Sequence, residues 1–112
     1  MQQELLKGHL EGLILAVLAD GPLHGYAIQD TLRTRSDGGV HVEGGTLYPV
    51  LHKLEAAGLI SGRWSVGSGR RRRTYALTAK GARALADKRS GWRDFVDTLD
   101  AFMSDPRPQG VE

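Results

Sequence analysis

Three features of the sequence predict a mainly α-helical fold carrying one small β-hairpin. The stretch Gly45 to Ile60, GTLYPVLHKLEAAGLI, reads as a short helix that Gly58 stops and that runs straight into a strand. A second strand follows a glycine turn and four consecutive arginines, Arg70 to Arg73. A final long helix carries an apolar stripe that a single chain has no means to cover. A helix shaped to lie in a groove, beside an arginine-tipped hairpin, is the layout of a winged helix-turn-helix with a C-terminal dimerisation helix.

The first helix is expected from about Gln3 to Ala19, because Leu6, Leu10, Leu13, Ile14, Val17 and Leu18 keep helical spacing. Leu5, Leu15 and Ala16 widen its apolar stripe, so it packs on more than one side. Asp20-Gly21-Pro22 stops it. His24 to about Arg35 reads as a second helix with Tyr26, Ala27, Ile28 and Leu32 as its apolar positions. A glycine-rich loop follows, in which Val40 and Val42 alternate around His41 and admit a very short strand. The third helix is expected to start near Thr46, whose hydroxyl is a good N-cap, with Pro49 in the first turn where no donor is needed. Leu47, Val50, Leu51 and Leu54 form its inward face.

Leu59 to Val66 and Arg72 to Leu77 are strand-like, with Gly67-Ser68-Gly69 as the turn between them. Thr78 offers another N-cap, and the last helix runs from Ala79 to about Met103. The organisation read from this is a winged helix-turn-helix over residues 1–78, whose N-terminal helix also contributes to the dimer, a dimerisation helix over 79–103 and a flexible tail over 104–112.

Composition bounds the function. A chain of 112 residues, 40% hydrophobic, makes one globular domain with room for an appended helix. It contains no cysteine, which excludes disulfides, thiolate metal sites and thiol nucleophiles. The run from Leu13 to Ala19 after Lys7 faintly resembles a signal peptide, but it is short, Glu11 interrupts its approach and no cleavage site follows. The expectation is a cytoplasmic protein with no membrane partner. The net charge of +2 is unevenly spread: residues 1–42 carry −2, residues 43–80 carry +5 and residues 81–112 carry −1. Positive charge concentrates on the third helix and hairpin, the footprint of a polyanionic partner.

On the third helix Thr46, Tyr48, Pro49, His52 and Lys53 fall outside the apolar face. Thr46 and Tyr48 can donate to phosphate oxygens, and His52 and Lys53 can reach phosphate or an acceptor on guanine. Alternation along the strand sets Arg71 and Arg73 on one side and Arg70 and Arg72 on the other, so one pair can face a duplex. The same residues admit plainer roles, as a solvated helix face and a solubilising tip.

Three segments, LHGYAI (Leu23 to Ile28), GTLYPVLHKLEAAGLI (Gly45 to Ile60) and RRTYALTAKG (Arg72 to Gly81), resemble the PadR family of bacterial transcriptional regulators. The resemblance covers roughly residues 10 to 85 in order. It implies a winged helix-turn-helix repressor, homodimeric, acting on a palindromic operator in double-stranded DNA. Carried over, it sets the DNA contacts on Tyr26, Thr46, Tyr48, Pro49, His52 and Lys53, with Arg70, Arg71, Arg72 and Arg73 as the wing. The single C-terminal helix resembles the family's smaller subgroup, in which an aromatic residue on this helix can line a ligand pocket at the dimer centre. The effector so implied is a small aromatic or drug-like molecule.

In the last helix Leu85, Trp92 and Leu99 repeat every seven residues, with Phe95, Val96, Phe102 and Met103 as a second apolar row. This is a coiled-coil-type seam, and Leu85, Trp92, Phe95, Val96 and Leu99 are the expected dimer and effector residues. Trp92 suits a flat ligand, or it simply fills the interface. The four histidines have no metal-ligand spacing. The sequence has no P-loop, nucleophile elbow, dinucleotide fingerprint or paired catalytic carboxylates, so neither an enzyme nor a cofactor is expected. Two alternatives stand beside the regulator: a winged-helix protein-interaction module and a non-specific nucleic-acid binder.

Overall fold

The structure is a computed structural model describing residues 3–67 and 69–104, with side chains described from residue 8 onward in the first helix. The expected inward places of Leu5 and Leu6, the turn position of Ser68 and the tail from residue 105 lie outside it. Its elements are α1 (Gln3–Leu18), β1 (Leu23–His24), α2 (Gly25–Arg35), α3 (Gly44–Ala56), β2 (Ile60–Gly67), β3 (Arg70–Leu77) and α4 (Ala79–Met103). The strands form one antiparallel sheet in the order β1-β3-β2. This is the winged helix-turn-helix that the sequence predicts.

One core joins the elements. Leu10, Ile14, Leu15, Val17 and Leu18 of α1 bury with Ile28 and Leu32 of α2 and Leu47, Leu51 and Leu54 of α3. Ile60, Tyr75 and Leu85 close it from the sheet and α4. Because α1 meets α2, α3, α4 and β3, its wide apolar stripe is used on several sides. Tyr26 departs from the expected apolar row of α2 and is exposed. It stands two residues before Ile28, about 200° around the helix, so burying Ile28 turns the phenol outward.

The third strand is not where the valines suggested it. Leu23 and His24 pair with Tyr75 and Thr74, whereas Val40 and Val42 are buried without joining the sheet. Their segment is held by side chains instead. The Ser36 hydroxyl accepts from the Val40 N–H at 2.7 Å and lies 2.7 Å from the Leu32 carbonyl, to which it donates. Gln29 donates to the Val42 carbonyl at 2.8 Å. Asp37 and Gly38 turn the chain between them with φ of 53° and 85°.

Helix α3 begins at Gly44, two residues before the expected start, with Glu43 as its N-cap. Thr46 is therefore the third helical residue and not the cap, and Pro49 lies inside the helix rather than in its first turn. The Glu43 carbonyl starts the ladder by accepting from Thr46 and Leu47. Pro49 removes the bond that the Gly45 carbonyl would accept, and Gly45 is exposed, where water can replace it. At the other end Gly58 (φ 78°) stops the helix, and the Leu59 N–H reaches back to the Leu54 carbonyl at 3.0 Å.

Strand β3 starts at Arg70, so all four arginines lie within the ladder rather than before it, and Gly67 pairs with Arg70 across the turn. Thr78 caps α4 as expected, accepting from the Gly81 N–H at 3.0 Å. Its hydroxyl also lies 2.7 Å from the Gly58 carbonyl, as a donor, tying the end of α3 to the start of α4. Helix α4 approaches the connection between α3 and β2 so closely that a Cβ on Gly81 would stand 1.9 Å from the Leu59 carbonyl oxygen. Gly81→Ala should thus destabilise the protein by about 1–3 kcal/mol. Gly45→Ala, whose added methyl meets nothing within 4 Å, should instead gain up to about 1 kcal/mol of helix propensity. Urea denaturation of the two variants measures both signs.

Candidate nucleic-acid interface

Helix α3 presents its outer face because three leucines, Leu47, Leu51 and Leu54, are almost wholly withdrawn from solvent on the inner one. Thr46, Tyr48, Pro49, His52 and Lys53 all lie on the exposed side. Tyr48 is fixed by two glycines: its ring lies 3.4 Å from where a Gly44 Cβ would be, and its hydroxyl 2.4 Å from where a Gly25 Cβ would be. Glycine at 25 thus lets the Tyr48 phenol sit directly against the start of α2, where Tyr26 is also exposed.

Lys53 is not a free cation. Its ammonium lies 2.8 Å from the Glu11 carboxylate of α1, and that hydrogen bond, then the carboxylate's charge, raises the Lys53 pKa above the usual lysine value. Lys53 remains exposed, so the pair is solvent-screened and readily exchanged for another anion. Glu11 was not a candidate from sequence, since nothing in the spacing brings residue 11 to residue 53.

The hairpin divides its arginines between two faces. On one, Trp64 pairs with Arg73 and Val66 with Arg71 across the strands. The Arg71 guanidinium stacks over the Trp64 ring at 4.4 Å from its centroid, and Arg73 reaches the same ring at 5.4 Å. Arg73 then turns inward to ion-pair with Glu55 of α3. On the other face Arg63, Ser65, Arg70, Arg72 and Thr74 stand together. Among the described residues none of Arg63, Arg70 and Arg72 is paired with a carboxylate. Arg63 is a cation that the arginine run concealed; strand alternation applied to β2 would have found it.

His24 stands where α2, β1 and the hairpin meet. Its Nδ1 accepts from the Ala27 N–H at 3.3 Å as the α2 cap, while the Arg72 guanidinium lies 3.1 Å from Nε2. A neutral imidazole has one acceptor nitrogen, so it satisfies one of these donors at a time.

The structure divides the expected seam residues. Leu85 is buried in the chain's own core, unlike the other residues of the expected seam. Trp92, Phe95, Val96, Leu99, Phe102 and Met103 are all exposed on α4. The Trp92 ring meets His9 of α1 edge-on at 5.5 Å and lies 6.0 Å from Phe95. Among the described residues no cluster of three or more His, Cys, Asp or Glu could hold a metal ion, and no helix is long and apolar enough to cross a membrane.

A family model described as the transcriptional regulator PadR-like family matches residues 14–87. The chain is 43% identical over 76 residues to the transcriptional regulator Rv3488 of Mycobacterium tuberculosis, covering 68% of each protein. Among solved structures it is similar to a PadR family transcriptional regulator from Eggerthella lenta, with a TM-score of 0.78 and 33% identity over 90% of this chain and 87% of that one. It is also similar to Bacillus subtilis PadR, solved in complex with operator DNA, with a TM-score of 0.64 and 27% identity over 92% of this chain and 52% of that longer one.

The wedge at Tyr48 is testable without any ligand. Gly25→Ala should displace the phenol, seen as shifted Tyr48 ring resonances in tyrosine-labelled protein, with stability changed by no more than about 1 kcal/mol because a side-chain end can move aside.

Proposed function

The chain belongs to the PadR-like family of transcriptional regulators, and from that premise we propose that it is a homodimeric, sequence-specific repressor. It binds a palindromic operator in double-stranded DNA and is released by a small aromatic or drug-like effector. The family is one of regulators and not of enzymes. The observation that carries the DNA-binding reading is the leucine-anchored α3, exposing Thr46, Tyr48, His52 and Lys53 beside a hairpin whose Arg63, Arg70 and Arg72 have no carboxylate partner among the described residues. In this reading α3 enters the major groove, Tyr26, Tyr48 and Thr46 donate to phosphates, Pro49 packs against the backbone, and the hairpin arginines follow the flanking phosphates. Lys53 exchanges Glu11 for the duplex.

Residues 1–78 then act as the DNA-binding unit, residues 79–103 as the dimerisation helix and residues 104–112 as a tail, in the cytoplasm. The dimer is supported by the row Trp92, Phe95, Val96, Leu99, Phe102 and Met103, exposed at helical spacing on α4. It is supported also by shape: the radius of gyration is 17.4 Å, against about 13 Å for a compact chain of this length. Trp92, half exposed between His9 and Phe95, is the surface on which a flat effector would stack. Effector binding there would change the separation of the two recognition helices, and operator binding tolerates little error in that separation.

A footprint on the DNA around the chain's own gene should reveal two protected half-sites about 10 base pairs apart or a multiple of that. Operator preference over random duplex of about 10³ or more is expected; equal affinity would favour the non-specific binder. Arg70→Ala with Arg72→Ala should reduce the salt slope by about 0.9 for each phosphate no longer neutralised. No change in a gel shift would favour a protein-interaction module instead. For the dimer, Phe95→Glu should yield a monomer in sedimentation. Trp92→Ala should abolish binding of a planar aromatic dye; unchanged dye binding would remove the pocket.

A further inference from the structure

The guanidinium of Arg73 is spent inside the protein, and the way it gets there is specific. It projects from β3 and crosses the backbone of β2 at Gly62, where an added Cβ would lie 2.7 Å from its Nε and 2.8 Å from its Cζ. Beyond Gly62 it meets the Glu55 carboxylate in the last turn of α3. The same carboxylate oxygen accepts from the Gly62 N–H at 3.3 Å, on the strand that has no further neighbour in the sheet. Both side chains of the pair are only about a quarter exposed, 26% for Arg73 and 27% for Glu55. Trp64 flanks the guanidinium on its outer side at 5.4 Å and Tyr75 at 5.8 Å.

We propose that Glu55, Gly62 and Arg73 form a latch that sets the angle between the α3 helix and the hairpin, and that Arg73 is a positioning residue for duplex recognition rather than a phosphate contact. The proposal rests on the reading of the chain as a DNA-binding regulator. Three requirements meet at one point: an acid on the helix, a glycine on the near strand and an arginine on the far one. Glu55 thereby holds both strands of the hairpin, one by a backbone N–H and one by a side chain. A helix in the major groove and a hairpin on neighbouring phosphates engage together only at a fixed mutual angle. The role also explains why an acid stands in a segment otherwise rich in positive charge. Glu55 opposes DNA by its charge and favours it by the geometry it imposes.

That opposition supplies the test. Operator affinity and its salt dependence are measured for Glu55→Gln, Arg73→Gln, Gly62→Ala and the double variant Glu55→Gln with Arg73→Gln, each first shown to be folded by circular dichroism. The latch predicts that every single variant weakens operator binding tenfold or more with the salt slope nearly unchanged. The double variant should be no weaker than either of its parents, since both break one device. Removing a carboxylate near a phosphate-binding surface would by charge alone tighten binding, so Glu55→Gln binding as well as or better than wild type overturns the proposal. So does an Arg73→Gln slope reduced by about 0.9 per chain, the mark of a direct phosphate contact. Hydrogen exchange at the Gly62 amide of the free protein reads the latch independently, and Arg73→Gln should accelerate it about tenfold. Failure of the wild-type protein to bind operator sinks the regulator reading instead. Exchange at Gly62 then decides the latch alone, and an unchanged rate overturns it.

Discussion

Everything on the outer face of α3 depends on the burial of Leu47, Leu51 and Leu54 behind it. A helix of 13 residues is marginal by itself in water, and this one also carries two glycines and an internal proline. Its stability comes from outside, through apolar contact with α1 and the sheet, each fully buried leucine contributing about 1.5–3 kcal/mol. The same contact fixes the helix's rotation about its axis. Polar side chains at 46, 48, 52 and 53 face outward because the leucines, with Val50 beside them, take the face that reaches the core.

Charge is organised by a different rule. Arg70 to Arg73 are consecutive, yet the pleat separates them into two groups with distinct partners. Arg71 and Arg73 lie with Trp64, one stacked on its ring and the other continuing to Glu55, so both side chains are held and the charge of Arg73 is countered by a carboxylate. Arg63, Arg70 and Arg72 share the opposite face with serine and threonine. Lys53 of α3 is likewise occupied, by Glu11. A tally of basic residues therefore overstates what is available on the surface and misses that its arrangement is made by two carboxylates.

What was legible in the sequence was whatever local chemistry decides. The two long helices follow from apolar spacing, the Thr78 cap and Gly58 stop from residue type, and the hairpin from β-favouring residues around glycine. What was hidden depended on contacts between distant residues. A two-residue strand such as Leu23–His24 has no period to detect, and β3 alone makes it a strand. Thr46 reads as a cap by its hydroxyl, but Val42 is buried one residue before Glu43 and the Glu43 carbonyl starts the helix earlier. Leu85 keeps the heptad of Trp92 and Leu99, yet the close approach of α4 to the Leu59 backbone at Gly81 carries it into the core. Of the candidate site, the outward row of α3 was readable; the partners Glu11, Glu55 and His24 were not, because sequence spacing says nothing of residues 18 to 48 positions apart.

The stitching around Ser36 has a mechanical corollary. With its hydroxyl bonded to both Leu32 and Val40, and Gln29 holding Val42, the connection from α2 to α3 lacks the slack of an ordinary eight-residue loop. The connection is thereby tied back to α2 at both of its buried valines. Beyond Leu85, which is packed into the core with α1, helix α4 meets α1 through the Lys88 stem beside Gly12 and the Trp92 ring edge on His9, so its outer turns are held less firmly than its first ones.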